Sequence, residues 1–301
     1  MEGDGGGGGG GGVPPVDIVP AEVARDLKSF TYANGVLSID ITGVAASDRE
    51  AEFQRLEAMD IAGIDGAPDY QAFWYQETDL TRYYLAYVAT NARGNLLTVS
   101  SSDGGQFNEH NSGGRFARID AFTRPTLGEG PEEGLFSYYG SYAGIFVPGE
   151  WADPNNPREP GLRPVAPWSV AGEAQINGDF RRNFVEGGIV NRELRDRNGD
   201  RITSIILNGD EIDTTRLADL TRRETSVDAA TGQFLGDVEF YGAPDGDVGD
   251  YAGLFGGLAA SDVAAVLWLN PIEGQNGIWE YGALNLPRCD LAGSSPLCLP
   301  R

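Results

Sequence analysis

The 301-residue chain is short of positive charge, of metal-binding side chains and of long apolar runs. Lys28 is the only lysine, and 22 Lys and Arg stand against 45 Asp and Glu, for a formal charge of −23. A nucleic-acid binder neutralises phosphates with clustered basic side chains, so no nucleic-acid partner is expected. With one histidine, His110, and two cysteines, the chain has neither the Cys/His spacing of a zinc site nor a histidine–nucleophile pair for acyl transfer. It therefore reads as a non-enzyme. No apolar stretch approaches the ~18 residues of a membrane-spanning helix, and no basic n-region or apolar h-region of a signal peptide opens the chain.

What is abundant is glycine, 43 residues without a G-X-Y period, set mostly between apolar alternations. That pattern belongs to many short strands and turns. The opening, "MEGDGGGGGGGGVPPVDIVPAE", cannot fold on its own. Residues 1–20 read either as a plain unstructured start or as a tether of the kind left behind an acylated cysteine, with Met1 in the cysteine's place. Cys289 and Cys298, in "CDLAGSSPLC", enclose a short loop. In an exported protein they would form a disulfide contributing about 2–4 kcal/mol, and in a reducing cytoplasm they would stay free thiols. The acidity itself fits solubility in an exposed setting.

Residues 21–130 read as a small α+β domain. In "VLSIDIT", Leu37, Ile39 and Ile41 alternate with polar residues as in a half-buried strand. Ser47 and Glu50 have capping-box spacing at the head of "SDREAEFQRLEAM", which predicts one short helix. The aromatic and β-branched segments that follow, to "GRFARIDAFT", make an antiparallel sheet. Proline, glycine and glutamate gather at 124–134, a domain boundary or long crossing loop.

Residues 131–301 show strand signals at regular spacing. In "WSVAGEAQINGDF", Val170, Ala174, Ile176 and Phe180 share one face, with Glu173, Gln175, Asn177 and Asp179 on the other. "NFVEGGIVNRELRD" and "DRITSIILNGDEID" flank Asn198-Gly199, a tight hairpin signal. Asp196, Asn198 and Asp200 begin like a calcium loop, but Arg201 and Leu207 stand where such a loop needs glycine and glutamate. Counting both arms of this hairpin, eight strands run from Leu135 to Leu286, enough to close an antiparallel barrel. Two of them share a YAG step, "SYAGIF" and "DYAGLF". Two distant copies are too few for a solenoid, and a phosphate-binding glycine loop would need a βαβ setting that is missing. Small residues that let strands approach closely explain the step better.

"GDYAGLFGGLAASDVAAVLWL" followed by "GIWEYGALNL" resembles the signature near the end of the transferrin-binding protein B β-barrel family, whose relatives include factor H-binding protein and the haem-binding hemophilins. "GSYAGIF" and "AGEAQINGDF" are similar to its opening strands. Ala265 stands where the family's signature carries glycine. The resemblance covers about 134–289 and implies one lobe, a handle-like domain followed by an eight-stranded barrel, in a bacterial surface-exposed or secreted lipoprotein. Its membrane contact would be a lipid anchor absent from this chain. Function would lie in loops presented to a protein partner. Trp151, in "GEWADPNNP", and Trp168 are candidate contact anchors. The alternatives are a small-ligand carrier and a structural surface module. For a carrier, the hemophilin relatives suggest haem, with His110 in "FNEHNSGG" as axial ligand. Otherwise His110 is a solvated turn residue.

Overall fold

The structure is a computed structural model that describes residues 18–44, 50–64, 67–107, 109–130, 133–148, 164–207, 210–243, 246–274, 277–291 and 298. After a single helical turn, α1 (Ala21–Ala24), an antiparallel meander runs in chain order. Its strands are β1 (Leu27–Ala33), β2 (Val36–Ile41), β3 (Ala51–Arg55), β4 (Gln71–Tyr75), β5 (Tyr84–Thr90), β6 (Leu96–Asp103) and β7 (Ser112–Arg118). Asn34 and Gly35 join the first two strands with φ of 53° and 79°, the left-handed pair that a tight hairpin requires. Leu37, Ile39 and Ile41 face a core shared with Leu27, Phe53, Phe73 and Val99. The last strand swings back towards the first, where Asp26 N donates to Ser112 O at 2.9 Å and Arg115 Nε to Leu27 O at 2.7 Å. The sheet thereby almost closes on itself.

The helix expected from the Ser47–Glu50 spacing is corrected. Ser47 lies outside the described residues, and Ala51–Arg55 is β3, with Phe53 buried opposite Leu37 and Glu52 and Gln54 exposed. Cross-strand burial of one phenylalanine decides the period here, over helix-forming side chains that gain nothing from either state. Only a 3-10 turn, Glu57–Met59, follows.

The barrel begins with β8 (Leu135–Val147), β9 (Trp168–Asp179) and β10 (Phe184–Arg195). A separate hairpin, β11 (Ser204–Leu207) and β12 (Asp210–Asp213), then leaves the wall. The wall resumes with β13 (Leu220–Ser226), β14 (Gln233–Phe240), β15 (Asp247–Gly256), β16 (Asp262–Leu269) and β17 (Trp279–Pro287), which closes onto β8. Eight strands do close, but not the expected eight. The Asn198-Gly199 turn is present, with Asp196 N bonded to Asp200 O at 2.8 Å. Its return arm, however, leaves the wall after Arg201 and pairs within itself. The strand beside β10 is instead Leu220–Ser226, "LTRRETS", whose charges hide it from an apolar-alternation reading.

Inward positions fill the barrel with rings: Tyr138, Tyr142, Phe146, Phe180, Phe234, Tyr251 and Phe255 form one core. The YAG step now has its explanation. In both copies tyrosine points inward, alanine points outward against the first sheet, and glycine makes room for a ring. A Cβ at Gly282, across the wall from Gly144, would run into Tyr142. A Cβ at Gly253 would meet Phe234 at 2.6 Å.

Inside the barrel lies a buried polar staple. Arg192 and Glu280 form a fully buried ion pair, the Tyr142 hydroxyl donates to Glu280 Oε1 at 2.6 Å, and Arg192 Nη1 donates to Ala218 O at 2.7 Å. Cys289 and Cys298 are joined by a disulfide at the far end of β17. Glu280→Gln would leave Arg192 charged in a dry interior, and urea unfolding is expected to show a loss of about 3–5 kcal/mol. Tyr142→Phe, which only removes a donor, should cost about 1–3 kcal/mol. A Glu280→Gln loss below about 1 kcal/mol would mean that the staple does not hold the barrel.

Candidate functional site

The loop between β6 and β7 turns one side to the barrel and the other to solvent. Asp103, the last residue of β6 and 1% exposed, organises it. Its carboxylate accepts from Gly105 N at 2.7 Å, from Asn111 N at 2.9 Å and from Arg82 Nη1 at 3.1 and 3.2 Å. Burial raises the Asp103 pKa, while the Arg82 charge and the backbone donors pull it down. Arg82 then reaches further, donating to Glu109 O at 2.7 Å and Gln106 O at 3.1 Å. One guanidinium thus ties both ends of a tight turn to a buried carboxylate.

At the head of that turn sits Phe107, with φ of 59° and its side chain 59% exposed. Gln106 and Glu109 exchange backbone hydrogen bonds at 2.9 and 3.2 Å on either side of it. Gln106 Nε2 donates to Leu80 O at 3.1 Å, which brings the β4–β5 loop alongside, and Leu80 is also exposed. Glu77, Asp79 and Glu109 are exposed on the same two loops.

His110, expected as a solvated turn residue if not a haem ligand, is neither free nor solvated. Its Nε2 is hydrogen-bonded to the Tyr281 hydroxyl at 2.8 Å, and its ring lies 5.9 Å from Trp279 and 5.8 Å from Tyr281. Trp268 continues the cluster 5.6 Å from Trp279, and the Arg25 guanidinium caps Trp268 at 4.9 Å. Burial, then the Arg25 charge, pushes the His110 pKa down to about 4, against the pull of Asp26. An axial ligand role would require His110 Nε2 to give up Tyr281.

Trp168 opens β9 and stacks on Phe146 at 5.8 Å, packed against the end of the barrel core. Its side chain is half-buried there. Trp151 lies outside the described residues. Among the described residues, no group of three or more His, Cys, Asp or Glu is placed to hold a metal ion. Sequence reasoning passed over Phe107 and Leu80. The available signal was an aromatic residue inside "DGGQFNEH", a stretch otherwise made of turn formers.

No family model matches the chain, and no curated protein matches it. Solved structures similar to it include a double mutant of Transferrin Binding Protein B from Haemophilus parasuis Hp5, at 10% identity and a TM-score of 0.37. A single mutant of the same protein matches at 11% and 0.37, and intact Ap-TbpB, with its N and C lobes, at 10% and 0.35. Each match covers 84% of this chain and 48% of the other. The chain therefore spans about half the length of these structures.

His110 is the only histidine, so its ring protons give a single resolvable NMR titration, expected to have its midpoint near pH 4. Its folded pKa lies below the unfolded value of about 6.5. The stability it contributes is therefore full above about pH 6.5. It is lost as pH falls towards 4, because the unfolded chain takes up a proton that the folded chain refuses. The loss is on the order of 3 kcal/mol and should be absent from His110→Gln when the two unfolding–pH curves are subtracted. A midpoint near 6.5 would show that the seam is wet.

Proposed function

We propose that the chain is a non-enzymatic binding protein, exposed on a bacterial surface or secreted, that grips a protein partner with the Phe107 loop of its first sheet. The observation that carries this reading is Phe107 itself, a large ring held outward at φ of 59°. A non-glycine residue in this region costs on the order of 1–3 kcal/mol. An exposed phenylalanine returns none of that to the folded state, and glycine would serve the turn without strain. Arg82 and Asp103 hold the turn rigid, so little entropy is lost when the ring is covered. A rigid, exposed aromatic ring belongs to the residue class enriched at the cores of protein interfaces. Exposed Glu77, Asp79 and Glu109 favour a partner whose apolar pocket has a basic rim.

The surface location and the lipid anchor follow from the sequence resemblance, and the division into tether (1–20), handle-like domain (21–130) and barrel (131–301) from composition and strand spacing as well; all form part of the same proposal. The filled barrel interior weighs against a carrier that holds its ligand inside.

The immobilised full chain, exposed to the protein mixture that surrounds the producing cells, is expected to retain a protein that mass spectrometry identifies. Phe107→Gly should weaken that capture by roughly thirtyfold or more, the scale of a hot-spot residue. The same substitution should leave the unfolding midpoint unchanged or raise stability by about 1 kcal/mol, since it relieves strain. Equal retention by Phe107→Gly and the unaltered chain would remove the basis of the reading.

A further inference from the structure

On the side of the barrel built by β9, β10 and β13, away from the strands that carry the first sheet, a groove of about 350 Å³ opens over consecutive glycines. That volume is at the small end of ligand-sized clefts, roughly 300–1,000 Å³. Gly188 occupies an outward position between Gln175 and Thr221. Bare backbone therefore forms the floor where neighbouring rungs carry side chains. The walls are of two kinds. Tyr241, 78% exposed, and Val190 supply apolar surface, while Gln175, Thr221, Glu186 and Asp219 supply polar groups.

Charged groups of both signs border the groove, on its rim and behind its floor. Asp219 Oδ2 takes the Arg216 guanidinium at 2.7 Å, but its Oδ1 is closed from solvent and has no donor. Beneath the floor lies Arg222, 1% exposed, its Nη2 donating to Gln175 O and, at 3.3 Å, to Gly188 O. Arg222 Nε and Nη1 have no acceptor, and no carboxylate pairs with it among the described residues. Those guanidinium nitrogens face the barrel interior, over the Tyr251 ring. What the groove itself offers is the Gln175 amide and the Thr221 hydroxyl beside the Glu186 and Asp219 carboxylates, which suit a ligand that donates and accepts.

Hydroxyl groups do both. A molecule with hydroxyls on its rim and C–H groups on its faces matches the polar rim, the tyrosine wall and the flat floor together. Glu186 and Asp219 oppose an anion, as does the chain's charge of −23, and the buried Arg222 charge opposes a cation. We propose that this groove is a binding site for a neutral saccharide, with the sugar ring laid on Gly188 against Tyr241. The site lies on a different face from the Phe107 loop and stands or falls independently of it.

The test is titration of the full chain with neutral disaccharides (maltose, cellobiose, lactose and N,N′-diacetylchitobiose), followed by amide NMR shifts and by calorimetry. Saturable binding with a Kd of about 1 mM or tighter is expected, with shifts centred on Gly187, Gly188 and Thr221. Tyr241→Ala, which removes an exposed ring, and Gly188→Val, which fills the floor, should each weaken binding at least tenfold without lowering the unfolding midpoint by more than a few degrees. Phe107→Gly should bind the sugars as well as the unaltered chain does. No saturation by any of the four up to about 10 mM, or binding by both groove variants equal to that of the unaltered chain, would overturn the proposal.

Discussion

The buried ion pair of Arg192 and Glu280 is the constraint around which the barrel is arranged. Glu280 points inward from β17, Tyr142 reaches it from β8, and Arg192 meets it from β10 while holding Ala218 just before β13. Arg192 can face inward only because the β9–β10 register slips between Val190 and Glu193, with Asn191 at a φ of 54°. A bulge of this kind re-aims a side chain within an otherwise regular ladder. Such a pair adds little net stability compared with apolar packing, but breaking it strands a charge. Once the staple and the aromatic rings are in place, the interior is solid.

That solidity extends to the join between sheet and barrel. The outward faces of β8, β15, β16 and β17 carry Ala143, Ala252, Ala264 and Ala283, so the two sheets approach closely, with Tyr87, Leu96 and Phe116 laid over them. Hydrogen bonds cross the seam: the Tyr70 hydroxyl donates to Ser141 O at 3.0 Å and accepts from Asn285 N at 2.7 Å, and Asn285 Nδ2 donates to Leu96 O at 3.0 Å. His110 belongs to this seam. The loop that carries it is therefore anchored on the barrel at one end and knotted by Arg82 at the other, which is what keeps Phe107 pointed away.

How far the sequence could be read follows from which forces left a periodic trace. The alternation of Leu37, Ile39 and Ile41, and of Val170, Ala174 and Ile176, is burial on one face, and it predicted strands where strands are found. The outward alanines and inward tyrosines of the YAG steps are packing constraints of the same kind. The short strand of Phe53 left too little pattern to compete with helix-forming neighbours. The hairpin arm 201–213 looked like wall because Ile205 and Leu207 are buried, yet they pack on the barrel from a separate hairpin. The burial of His110 and the strained turn of Phe107 left no periodic trace. A seam and a strained turn depend on residues distant in sequence, and only the fold brings Tyr281 to one and Arg82 to the other.

The strand that was missed shows why charge can build a wall. Between β13 and β14 only Leu220, Thr221 and Arg222 have ladder partners, in Phe240, Glu239 and Val238. Beyond them side chains take over the joining. Arg223 meets Glu239 at 2.9 Å, Asp247 at 3.1 Å and Asp237 at 3.7 Å, the Thr225 hydroxyl donates to Leu235 O at 2.7 Å, and the Tyr251 hydroxyl plugs Arg223 O at 2.7 Å from within. A ladder hydrogen bond is indifferent to salt, whereas a partly exposed guanidinium among three carboxylates is screened by it. The barrel thus has a seam whose strength depends on its ionic surroundings. Arg222 and Arg223 divide the work of that seam: one turns inward beneath the glycine floor, the other outward to the acidic neighbours. The two charges that hid β13 from an apolar reading are the ones that hold it in place.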